Sequence, residues 1–145
     1  MRTLLLSLSA LGFGLLALGF IACATDGSNT NTNTDTTCTD TDVSFSKCVQ
    51  PIFAKSCGGG FCHGSSNSAF GLVLTENAHA NSVGVDSKQN TEQKLVVAGD
   101  PDQSYLLTKM KGTASSGTVM PPAGAIPAAE QALIETWIKE GAKNN

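Results

Sequence analysis

The chain is short of charge: 14% of its 145 residues are Asp, Glu, Lys or Arg, and the formal net charge is −3. Arg2 is the one arginine. A chain with no basic excess lacks the cationic surface by which proteins follow a phosphate backbone, so nothing points to nucleic acid. There is no internal repeat, and no patterning that would build a sheet of any size. Histidine is scarce, with His63 and His79 alone, and neither a Ser-His-Asp set nor a pair of carboxylates stands out. Bond-making chemistry therefore has no visible machinery. The roughly 100 residues after Val43 suffice for one small domain with a modest core and leave no room for a second.

What is present begins with a leader. Met1-Arg2 precedes an apolar run from Leu4 to Ala22, the charged start and hydrophobic middle of a secretory signal. A membrane-spanning helix is the alternative on length, since about 20 apolar residues cross a bilayer. The run, however, stops at Ala22-Cys23 and turns wholly polar. Phe20-Ile21-Ala22-Cys23 resembles the lipobox of bacterial lipoproteins, which implies lipidation of Cys23. The lack of an acidic residue directly after Cys23 is similar to the pattern that sorts such proteins to the outer membrane. The expected location is thus the cell envelope, with the domain in the periplasm or at the cell surface. From Ala24 to Asp42 the chain has eight Thr, three Asn and four Asp and almost nothing apolar, so it cannot offset the entropy of ordering. Three regions follow: a signal over 1–22, a lipid-anchored disordered tether over 23–42, and a folded domain over 43–145. The tether is acidic; the domain, with eight Lys against eight Asp plus Glu, is near neutral.

Five cysteines fit an exported chain better than a cytosolic one. With Cys23 lipidated, Cys38, Cys48, Cys57 and Cys62 remain. They allow three disulfide pairings, or one disulfide and two cysteines used otherwise, and the sequence favours the second arrangement. Cys38 and Cys48 are ten apart, and a disulfide between them would staple the end of the tether to the first helix.

Within the domain, Phe45, Val49, Ile52 and Phe53 recur at helical spacing, with Pro51 requiring either a start near Cys48 or a kink. Residues 77–93 read as polar loop with one helical turn. A helix is expected behind Asp100 as N-cap, Pro101 in the first turn and Gln103 closing a capping box, with Gly112 as its stop. After Pro127 a last amphipathic helix carries Leu133, Ile134, Trp137 and Ile138 toward Gly141. The fold class is all-α, small and loop-rich.

The chemistry concentrates at Cys57-Gly58-Gly59-Gly60-Phe61-Cys62-His63. Two cysteines followed by histidine resemble the C-x-x-C-H signature of covalently attached haem, from which the spacing here, C-x4-C-H, departs by two residues and so is less specific. Two thiols add to the vinyl groups on one edge of the porphyrin while the adjacent imidazole reaches the iron. The glycines would let the longer segment loop outward, since they take positive φ at little steric cost. The competing readings are a Cys57–Cys62 disulfide beside Cys38–Cys48 with a solvated His63, and a zinc site, for which the chain is short of ligands. Val49-Gln50-Pro51-Ile52-Phe53, Gly71-Leu72-Val73-Leu74, Gly99-Asp100-Pro101 with Ser104-Tyr105-Leu106, Met120-Pro121-Pro122, and Trp137-Ile138 with Gly141-Ala142 follow in order. In that order the domain resembles the small c-type cytochromes of the bacterial envelope, in particular the planctomycete-type cytochrome c domain.

The resemblance implies a cytochrome c-like domain with one covalent haem c, held by Cys57 and Cys62, with His63 as the proximal iron ligand and Met120 as the distal one. Met120 also has a physical case: a thioether is a soft ligand for ferrous iron, and two prolines stiffen the loop that presents it. Met110, at helical spacing from Leu106, reads as core, and His79 is the rival imidazole. Trp137, Tyr105, Phe45 and Phe53 would suit a haem-facing wall or an ordinary core. The implied role is single-electron transfer between envelope redox partners, without catalysis. The alternative is a disulfide-stapled, haem-free binding lipoprotein.

Overall fold

The computed structural model of the chain describes residues 38–59, 62–64 and 68–145. The expected signal over 1–22, the lipidation position Cys23 and the tether up to residue 37 lie outside the described residues.

Helix α1 consists of three consecutive pieces, Phe45–Val49, Gln50–Ile52 and Phe53–Cys57, the outer two π-wound. Ser44 opens it from extended backbone, its hydroxyl accepting a hydrogen bond from the Lys47 N–H at 3.4 Å. The Phe45 N–H donates to Asn145 Oδ1 (2.8 Å) and the Ser46 N–H to the Asn145 carbonyl (2.9 Å), so two orphan donors of the first turn are satisfied by the far end of the chain. The expected start near Cys48, or kink at Pro51, is corrected. The helix begins at Phe45 and runs through Pro51 with Val49, Gln50, Ile52 and Phe53 all in right-handed helical backbone. An α-turn would press the proline ring against the carbonyl four residues back. The π-wound turn before it, closed by the Gln50 N–H on the Phe45 carbonyl, gives the ring room.

Helix α2 is the single turn Ala78–Ser82 expected in the polar stretch. Helix α3 spans Tyr105–Lys111 and starts later than the sequence signals place it. The Asp100 carboxylate does accept from the Gln103 N–H (3.2 Å), but this closes a separate turn. The buried Ser104 then breaks the path. Its hydroxyl accepts from the Val97 N–H (2.9 Å) and donates to the Asp100 carbonyl (2.8 Å), which holds residue 104 in extended backbone. Gly112 ends α3 at φ 70°, as expected of a glycine stop.

Helix α4, Ala128–Lys139, places Leu133, Ile134, Trp137 and Ile138 on one buried face. That face packs on the Phe45–Val49 piece of α1. Trp137 is fully buried between Phe45 and Phe53, and its indole N–H donates to the Lys143 carbonyl at 2.8 Å. Lys55 of α1 pairs with Glu130 of α4 at 2.9 Å. Among the described residues there is no strand, only isolated bridges at Val83–Val96, Asp86–Lys94 and Val97–Asp100. None of the described helices is long and apolar enough to cross a membrane. The architecture is helical and loop-rich, with the helices holding a shared core and the loops left to shape a cavity.

Candidate functional site

The segment after α1 folds back on its own start. The His63 N–H donates to the Cys57 carbonyl (2.9 Å), and the Cys62 N–H donates to the Gly59 carbonyl (2.8 Å), closing a four-residue turn. The sequence reading gives these glycines the task of taking positive φ. Gly58 instead has φ −84°, a value open to any residue, and its task is to leave space: a Cβ there would lie 2.6 Å from Thr75 Cγ2 and 2.5 Å from the Ala54 carbonyl oxygen. A Cβ at Gly64 would run into the Gly58 carbonyl. Side-chain-free positions at Gly58 and Gly64 thus let the backbones of Cys57 and His63 meet.

The other side of the loop is pinned by residues 69–75. The Cys62 carbonyl accepts from the Ala69 N–H (3.0 Å), the His63 carbonyl from the Leu74 N–H (2.7 Å) and the Gly64 carbonyl from the Thr75 hydroxyl (2.8 Å). The Leu72 carbonyl meets His63 Nδ1 at 3.0 Å. A carbonyl only accepts, so Nδ1 carries a proton, and in the neutral ring the lone pair lies on Nε2. Metal-ligating histidines are oriented in this way, with the second ring nitrogen donating to a fixed acceptor.

Cys57, Cys62, His63 and Met120 line one cavity of about 350 Å³. Its walls are mainly apolar, with Phe53, Leu72, Leu74, Leu106, Met110 and Ile126 among them. Met120 arrives on the loop after α3, where its N–H donates to the Lys109 carbonyl at 3.0 Å. Met110, read as core, is buried and also reaches the cavity wall. His79 does not. Its Nε2 donates to the Ala142 carbonyl (2.7 Å) and its ring packs edge-on against Phe45 and Trp137, in the core behind α4. The aromatic set divides likewise: Phe53 and Tyr105 line the cavity, while Phe45 and Trp137 belong to the core.

Cys38 and Cys48 are disulfide-bonded, with Cα atoms 5.7 Å apart, and tie the approach segment to α1. Cys57 and Cys62 are free thiols. Burial, reinforced by the neighbouring Cys62, pushes the Cys57 thiol up to about 11, so at neutral pH it is protonated and held against the cavity. Among the described residues no group of three His, Cys, Asp or Glu side chains is gathered around a common point. The arrangement is therefore that of groups facing a large apolar space. Sequence reasoning missed Phe70, 58% exposed with φ 56° at the cavity rim, and Lys109 and Gln89 in its wall. Neither spacing nor residue type marks these three. The chain matches no family model, no curated protein and no solved structure.

Proposed function

We propose that the domain is a monohaem c-type cytochrome that carries single electrons between redox proteins of the bacterial envelope. One observation carries the reading: two free thiols and an imidazole fixed through Nδ1, all from one short segment, line the same apolar cavity as the thioether of the distant Met120. These residues fit a covalent haem. Cys57 and Cys62 would hold it by thioethers, His63 would be the proximal iron ligand and Met120 the distal one. When bound, haem supplies one-electron iron chemistry.

The chain's own residues prepare the site. The Leu72 carbonyl selects the tautomer of His63 that leaves Nε2 able to ligate. Phe53, Leu72, Leu74, Leu106 and Ile126 give the cavity an apolar lining, which disfavours charge there and would raise the potential of a bound redox group. Pro121 and Pro122, also in the wall, stiffen the segment presenting Met120. The proposal extends to the tether, with a lipid at Cys23 keeping the domain at the membrane near its partners.

Visible absorption and intact mass of the exported chain test the reading. A haem spectrum and a covalent mass increase of one haem are expected, the mass increase being lost in Cys57→Ala/Cys62→Ala. A colourless chain with a Cys57–Cys62 disulfide would make the domain a disulfide-stapled binding module instead. Lipidation is checked by labelling with a radioactive fatty acid, which Cys23→Ser is expected to abolish.

A further inference from the structure

The side chain of Lys109 is out of place in an apolar wall. It is 7% exposed and lines the cavity. Among the described residues the ion pairs are Lys55–Glu130, Lys94–Asp86, Lys111–Glu135 and Lys143–Asp42, and none of them uses Lys109. Its ammonium has three donors and, among the described residues, one acceptor, the Ser116 carbonyl at 3.2 Å. A buried ammonium facing no carboxylate is costly to fold, so its retention calls for a partner.

The surroundings of Nζ are those of an anion site. The Tyr105 hydroxyl donates to Gln89 Oε1 at 3.1 Å, which orients that amide and leaves its NH₂ as donor. Tyr105 and Gln89 line the same cavity. Gly117 closes over the group at φ 72°, and a Cβ there would lie 2.7 Å from Lys109 Nζ and would also collide with the Gln89 amide. Asp86, the carboxylate of the wall, is taken by Lys94 at 2.8 Å. The cavity thus joins an apolar body to one cationic, donor-rich pole, with the exposed Lys88 also in its wall.

We infer that Lys109, with the Gln89 amide, holds a carboxylate of the molecule that fills this cavity. The ligand class is amphipathic: a flat or bulky apolar body bearing carboxylate groups. On the haem reading, on which this inference rests, the group held is a porphyrin propionate. Lys109 is then a positioning residue that fixes which edge of the ring enters first and which way it faces.

The test titrates the full chain carrying Cys57→Ala and Cys62→Ala, so that binding is reversible, with ferric protoporphyrin IX and with its dimethyl ester, which lacks the carboxylate charge. The expected result is binding of the free acid at least about tenfold tighter than the ester, the scale of one hydrogen bond to a charged group. Lys109→Met should erase that preference while leaving ester affinity unchanged, and Lys109→Arg should keep it. Equal affinity for acid and ester in the Lys109 chain overturns the inference and leaves the haem reading standing. An undiminished preference in Lys109→Met does the same. If neither compound binds the Lys109 chain, the haem reading falls and takes the inference with it.

Discussion

The imidazole of His63 donates from Nδ1 to the carbonyl oxygen of Leu72 at 3.0 Å, across the loop that separates the cysteine segment from residues 69–75. That bond links a side chain chosen for chemistry to a backbone group held by the fold, because Leu72 sits in extended backbone directly after the turn Ala69–Gly71. His63→Ala should cost the haem-free chain about 1 kcal/mol, the usual net worth of such a bond, measured by urea denaturation. On the proposed function, the haem-loaded variant should lose the spectrum of the loaded parent chain. A variant with that spectrum intact would remove His63 from the iron.

The two thiols differ in environment although the proposed function gives them one shared attachment. Cys62 is exposed, whereas Cys57 is half-buried with its thiol pushed up to about 11 by burial and by Cys62. Only the thiolate attacks an alkylating reagent. Iodoacetamide at pH 8 should therefore label Cys62 and spare Cys57 in the folded, haem-free chain. Peptide mass mapping should show Cys57 reacting as the pH approaches 11, or at once in urea. Equal labelling at pH 8 would contradict the buried environment.

Much of this arrangement is legible in the residues, and the parts that are not have physical reasons. Leu133, Ile134, Trp137 and Ile138 announce α4 through their period, and Gly112 announces the end of α3. The late start of α3 is not legible, because it depends on the Ser104 hydroxyl finding partners at Val97 and Asp100 once the chain has folded. Pro51 is likewise misleading, since π-winding of the preceding turn is a tertiary adjustment. At the site, Cys57, Cys62, His63 and Met120 stand out by type and spacing, but their convergence on one cavity does not. Lys109 is invisible in sequence, because a lysine on a short helix reads as solvated until burial shows otherwise.

The Cys38–Cys48 disulfide closes a short loop in a domain whose core is small. Constraining the unfolded chain over a loop of this length is worth about 2–3 kcal/mol in the chain-entropy account. Cys38→Ala/Cys48→Ala should lower the urea midpoint by a corresponding amount, and a reducing agent should bring the unsubstituted chain to nearly the same midpoint. The haem spectrum of a loaded sample should be unchanged, since neither cysteine lines the cavity. A spectral change would couple the staple to the site.

Acid should release the same end of the molecule by another route. The Glu140 carboxylate accepts from the Val43 N–H at 2.8 Å and from the Asp42 N–H at 2.7 Å, and those two bonds, with Lys143 nearby, hold its pKa below 4.5. A carboxylate whose pKa is depressed by folding binds its proton more readily in the unfolded chain. Its stabilising effect is therefore fully present above the unfolded value and disappears as the pH falls through the folded one. Unfolding monitored between pH 7 and pH 3 should show stability falling below about pH 4.5. Glu140→Gln should be less stable than the parent at pH 7 and should lose less on acidification, so that the gap between the two narrows as the pH falls. Parallel curves for the two chains would show that the clamp on Asp42 and Val43 owes nothing to the carboxylate charge.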